Sequence, residues 1–136
     1  MKRDHLKLLV VDDMTDQILI LKTILMDEGF RRIADANDGK KALALIRKTS
    51  FDLIICDWNM PGMTGLQLLQ EVRKHPSTSS IPFLMVTGES DMDKVQAAIK
   101  CGVSEYIVKP FTHEVLVKKA LKLLSKNNDT SRSQAG

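Results

Sequence analysis

The chain predicts an α/β fold, a single-domain doubly wound parallel sheet of five strands with helices on both faces. Short apolar runs recur along it, amphipathic patterns separate them, and turn and capping residues fall between the two. Its 136 residues, 43% hydrophobic, suit one domain with one continuous core.

The first strand is Leu8 to Val11, stopped by Asp12 and Asp13. A helix follows with Ile18, Leu21 and Leu25 on one face, closed by Gly29. Ile33 to Ala36 is the weakest strand, and Ala42, Leu45 and Ile46 mark the next helix. Leu53 to Cys56 is a third strand that runs straight into Asp57. Thr64 and Gln67 have capping-box spacing, opening a helix that carries Leu68, Leu69 and Val72. Pro82 to Val86 is the fourth strand; Ser90 and Asp93 again have capping-box spacing before Val95, Ala98 and Ile99, and Gly102 ends that helix. Tyr106 to Val108 is the fifth strand, and Leu116, Ala120 and Leu124 share one face of the last helix. Nearly unbroken apolar strands imply burial on both sheet faces and right-handed crossovers. The domain is expected to span residues 1–125, with 126–136 a disordered polar tail that has no apolar face to bury.

Several function classes are excluded. The formal charge is only +3, and no basic cluster interleaves with the one Trp, one Tyr and four Phe, so no nucleic-acid partner is expected. The apolar run after the basic start is too short for a signal peptide or a membrane span. Cys56 and Cys101 lack CxxC spacing and suit a reducing, cytoplasmic setting. His5, His75 and His113 share no spacing and receive no role. No left-over apolar stripe suggests an obligate dimer, so a monomer is expected. Lys118, Lys122 and Lys126 follow at i, i+4, which fits a solvated helix face or a docking patch.

In a doubly wound sheet all parallel strands end on one edge, where ligands bind. Collected there are Asp12 and Asp13 after the first strand, Asp57 after the third, Thr87 after the fourth and Lys109 after the fifth. Two carboxylates about 4 Å apart repel by roughly 4 kcal/mol at an effective dielectric near 20, so this group calls for a cation. Oxygen ligands without histidine or cysteine suit Mg²⁺. An acid with Mg²⁺, a lysine and a hydroxyl forms a phosphoryl-transfer site, and Asp57, alone on its strand, is the candidate nucleophile and phospho-acceptor. No GxxxxGK[ST] loop points to a nucleotide donor.

VVDD at 10 to 13, DWNMPGMTG at 57 to 65, VTGE at 86 to 89 and YIVKPF at 106 to 111 resemble a response-regulator receiver domain over about residues 6 to 125. The resemblance is strongest to stand-alone chemotaxis regulators of the CheY type. It implies a flavodoxin-like (βα)5 fold with strand order 2-1-3-4-5. It also implies that Asp57 accepts a phosphoryl group from a histidine kinase. Mg²⁺ would be held by Asp13, Asp57 and the backbone carbonyl of Asn59, with Asp12 acting through a bound water. Thr87 and Lys109 would contact phosphoryl oxygens, and Lys109 and Pro110 would be joined by a cis peptide. Asn59 and Glu89 would help set the lifetime of the phosphoryl group.

By the same resemblance, Thr87 and Tyr106 form the switch, and the partner face comprises Ser90, Val95, Ile99, Tyr106, Val108, Thr112, Lys119 and Lys122. The implied partner is the flagellar motor switch, with a dedicated phosphatase a further candidate. A phosphate sink or phosphorelay receiver would read similarly. The chain departs from the best-known CheY sequences at Met14, Thr15, Asp16 and Gln17, and Asp91 and Met92 replace a lysine pair; these bear on lifetime and partner choice. Such proteins are not usually classed as enzymes, although they promote their own phosphorylation and dephosphorylation. A Mg²⁺ phosphatase of the haloacid dehalogenase type also places an Asp after a strand, but it generally needs an acid two residues on. Here that residue is Asn59, which cannot transfer protons.

Overall fold

Five strands and five helices alternate along the chain: β1 (Lys7–Val11), α1 (Thr15–Asp27), β2 (Arg32–Ala36), α2 (Gly39–Lys48), β3 (Leu53–Asp57), α3 (Gly65–Lys74), β4 (Phe83–Thr87), α4 (Met92–Lys100), β5 (Glu105–Val108) and α5 (His113–Ala135), after a short 3-10 turn at Arg3–His5. The computed structural model describes residues 2–88 and 92–135, without the side chains from 126 onwards. All strand pairs are parallel, and the sheet order is β2-β1-β3-β4-β5, as expected.

Alternation along each strand divides the core in two. Leu9, Val11, Ile54, Cys56, Phe83 and Met85 face α2, α3 and α4, where Ala42, Ile46, Leu68, Leu69, Val72 and Ala98 cover them. Leu8, Val10, Leu53, Ile55, Leu84, Val86 and Ile107 face α1 and α5, against Ile18, Leu21, Leu25, Leu116, Ala120 and Leu124. The central strand β3 is buried at all five residues, which accounts for its unbroken apolar run. β2 pairs only with β1, and its outward edge keeps Arg32 and Asp35 exposed, so its sequence signal is weak.

Local chemistry starts and stops the helices. Thr64 and Gln67 form the full capping box at α3, each side chain accepting the other's backbone N–H, at 3.2 and 2.9 Å. Asp38, not anticipated from the sequence, caps α2 by accepting from Lys41 N at 2.8 Å. Gly29 and Gly102 adopt the positive φ of C-terminal caps, +96° and +89°. The expected cap at Ser90 lies outside the described residues.

Two features differ from expectation. The α5 backbone is helical to Ala135, through the polar segment read as a disordered tail, whereas its described buried face ends at Leu124. A helix anchored by tertiary packing extends at little cost per residue, and no Pro or Gly interrupts this one before Gly136. Secondly, α1 is apolar on more than its core face. Leu19, Ile20 and Met26 remain exposed, Leu19 at 65%, so apolar surface is left over after the core is built.

Arg73 on α3 ties separate loops together. Its guanidinium donates to the carbonyls of Ile81 (2.6 Å), Gly102 (2.9 Å) and Ser79 (3.1 Å) and to Ser104 Oγ (3.3 Å). Replacing it strands the part-buried Ile81 carbonyl and unties the loops at Ser79 and Gly102, and lysine cannot reproduce the fork. Arg73→Ala is expected to lower stability by about 2–3 kcal/mol in urea denaturation, with Arg73→Lys recovering less than half of that loss.

Candidate functional site

The carboxyl edge of the sheet gathers the expected residues. β1 and β3 are adjacent, with Val11 beside Cys56, so Asp12, Asp13 and Asp57 emerge from neighbouring strand ends. Each offers a carboxylate oxygen within 4.8 Å of the others. Asp12 is 2% exposed and Asp57 6%, whereas Asp13 faces solvent. Asp12 Oδ1 accepts from Met14 N at 2.9 Å, which aims its second oxygen inward. Lys109, immediately after β5, places Nζ 3.4 Å from Asp57 Oδ1 and 3.7 Å from Asp12 Oδ2. Thr87 is fully buried at the end of β4, and its carbonyl accepts from Lys109 N at 2.7 Å, fixing the lysine's strand end. The Lys109–Pro110 peptide is cis, as the resemblance implied.

Burial raises the pKa of Asp57, and Lys109 only partly opposes it; Asp13 adds repulsion. Burial likewise raises that of Asp12, against the Met14 N–H and with Asp57 reinforcing the rise. One lysine therefore does not balance three acids. The donor set is all oxygen, because the three acids form the group while the neighbouring Cys56 lies in the apolar layer under α2 and α3, where burial raises its thiol pKa. Such a set fits a hard divalent cation such as Mg²⁺.

The remaining expectations separate by place. Asn59 is exposed beside Asp57, and Trp58 is buried with its N–H donating to Val86 O at 3.1 Å. Glu89 and Ser90 lie outside the described residues. Tyr106 is half-buried on β5 against the α4 side of the core. Ile99, Val108, Thr112 and Lys122 are exposed, and Val95 and Lys119 partly so. Thr112 Oγ1 accepts from Val115 N, opening α5.

Sequence reasoning missed Glu105. Its carboxylate takes Lys119 Nζ at 2.8 Å and Lys122 Nζ at 3.5 Å, and the Lys119 hydrogen bond holds its pKa below the usual range. Two lysines of the expected partner face are thus ion-paired, in a shallow cavity of about 270 Å³ that Val115 and Lys118 also line. Lys94 of α4 was missed too; its Nζ lies 5.8 Å from the centre of the Trp58 ring. Neither residue belongs to a motif, so only the fold reveals them.

A carboxyl whose folded pKa is raised costs stability above that pKa, and the cost fades as pH falls toward the unfolded value. In chelator at pH 7, Asp57→Asn is therefore expected to melt a few degrees above the unsubstituted protein. The gap should close as pH is lowered into the ordinary aspartate range, as thermal melts across pH would show.

With this geometry in hand, comparison with known proteins is direct. The sequence profile of the response regulator receiver domain matches residues 8–121. The chain is 43% identical to the chemotaxis protein CheY of Pseudomonas aeruginosa, over 90% of this chain and 99% of that protein. It is 39% identical to CheY-3 of Vibrio cholerae, over 90% and 94%. Its structure is similar to that of Vibrio cholerae CheY4, with a TM-score of 0.82 at 37% identity, covering 88% of this chain and 98% of that one. The receiver domain of a signal transduction histidine kinase from Syntrophus aciditrophicus gives the same TM-score at 32% identity, over 88% and 90%. Fold, acid cluster and sequence agree: the chain belongs to the response regulator receiver domain family, and its described relatives include chemotaxis proteins of the CheY type.

Proposed function

We propose that this receiver accepts a phosphoryl group on Asp57 from a phosphohistidine of a histidine kinase and, once modified, changes its affinity for a partner protein. The observation that carries the reading is Asp57 itself, buried at the end of the central strand with Lys109 Nζ at 3.4 Å and two further acids within reach. A carboxylate oxygen of Asp57 attacks phosphorus while the bond to the imidazole nitrogen breaks; the electron pair stays on that nitrogen, which takes up a proton, so the products are an acyl phosphate and neutral imidazole. Asp13, Asp57 and the Asn59 carbonyl would hold Mg²⁺, with Asp12 acting through water. When bound, that ion neutralises charge on the phosphoryl oxygens. Lys109 would contact one phosphoryl oxygen, and Thr87 a second.

The acyl phosphate carries roughly −1.5 to −2 charges, and its contact with Thr87 is the local event that would move the loop after β4. Tyr106 would turn into the space vacated. The output face then comprises Val95, Ile99, Tyr106, Val108, Thr112, Lys119 and Lys122 of α4, β5 and α5, with Ser90 of the preceding loop. The flagellar motor switch is the proposed target, because the similar proteins of Pseudomonas aeruginosa and Vibrio cholerae are chemotaxis proteins. A cytoplasmic location goes with this reading, and among the described residues no helix is long and apolar enough to cross a membrane.

Acetyl phosphate or a phosphohistidine donor should give a single acid-stable, base-labile adduct only when Mg²⁺ is present. Label persisting in Asp57→Asn would sink the assignment. For the output, a peptide of the motor switch should bind the beryllofluoride-treated protein at least about ten-fold more tightly than the untreated one, a coupling of roughly 1.4 kcal/mol. Unchanged affinity in a fluorescence titration would point to another target.

A further inference from the structure

We infer that Gly65 is a positioning residue for the metal and phosphoryl site, set by the direct approach of α3 to the backbone of Asp57. This rests on the reading of Asp57 and Asn59 given above. A Cβ at residue 65 would lie 2.9 Å from Trp58 Cα and 3.0 Å from the Asp57 carbonyl carbon, and closer still to the Asp57 carbonyl oxygen. Among the described glycines, this is the one where every near neighbour of an added Cβ is backbone. At Gly39 the neighbours are Met63 side-chain atoms, and at Gly62 there is open space. The approach is also bonded, since Gly65 N donates to Trp58 O at 2.9 Å.

The elements on either side decide what yields to a larger residue. β3 is held on both edges, Cys56 lying opposite Val11 and Met85 and Asp57 opposite Val86, and Trp58 N is bonded to Val86 O. The body of α3 is held by Leu68, Leu69 and Val72, all fully buried. Of the connecting residues, Met60 is buried in the core and Thr64 is tied into the α3 cap, whereas Asn59 is exposed and directly follows the crowded Trp58 backbone, so the shift passes to it. A methyl group at 65 therefore displaces the Asn59 carbonyl relative to the Asp57 carboxylate. Alanine is otherwise the better helix former, so a loss on this substitution reports the contact and not helix propensity.

The test titrates MgCl₂ against the full chain at neutral pH, read by the fluorescence of Trp58, its single tryptophan. Gly65→Ala and Thr64→Ala are compared with the unsubstituted protein, each with a thermal melt. Thr64→Ala removes the α3 cap but adds no atom against Asp57, so it should lower the melting temperature and keep Mg²⁺ affinity within about two-fold. Gly65→Ala should fold and bind Mg²⁺ about 10–100-fold more weakly, the scale of lost support around a metal ligand. Affinity within about two-fold of the unsubstituted protein for Gly65→Ala would overturn the positioning role. So would an equal loss in Thr64→Ala, or a Gly65→Ala chain that does not fold, since each makes the glycine structural only. An unsubstituted protein that binds no Mg²⁺ would overturn the metal reading, and this inference with it.

Discussion

Charge crowding at one edge of the sheet is the constraint around which the rest of the molecule is arranged. Asp12 and Asp57 are nearly buried, Asp13 stands beside them, and among the described residues Lys109 is the cation paired with the two inner acids. Burial raises the pKa of both inner acids despite that lysine, so the metal-free site carries a standing electrostatic cost. Three buried strands, β1, β3 and β4, and two apolar layers supply the stability that lets the fold carry it.

That arrangement also gives the site its direction of response. In the proposed reaction a cation would relieve the crowding, and a phosphoryl group would restore negative charge in a place where Lys109 and Thr87 are already held by the bond between their strand ends. On the far side of β5, Glu105 ion-pairs with Lys119 and Lys122 of α5, so the proposed output face has its own charge balance, separate from the acid cluster. Lys94 over Trp58 joins α4 to the residue after Asp57. In the proposed switch, the Thr87–Lys109 and Lys94–Trp58 contacts are the physical connections between site and surface.

Most of the fold was legible because each layer repeats its signal. β1, β3 and β4 are buried on both faces and read as apolar runs, and the Thr64–Gln67 capping box formed as its spacing implied. The site was legible because its residues fall at strand ends in chain order. What escaped were interactions between elements far apart in sequence. Arg73 reaching Gly102, Glu105 reaching Lys119 and the exposed apolar residues of α1 depend on how helices are set against the sheet, which no local period encodes. The α5 backbone past residue 125 escaped for another reason: composition reports whether a segment can pack, not whether an anchored helix continues through it.

The adjacency of β1 and β3 carries a consequence for what can vary. Asp12 and Asp57 project from the ends of strands whose separation is dictated by backbone hydrogen bonds, about 4.8 Å in any sheet. The spacing of the two strand ends is therefore a property of the peptide ladder, while the aim of each carboxylate is set locally, as by the Met14 N–H at Asp12. On the proposed reading, chemistry at this edge would be tuned by what stands around a fixed pair of strand ends, such as Met14, Asn59 and the first residues of α3, so that timing could change while the reaction is kept.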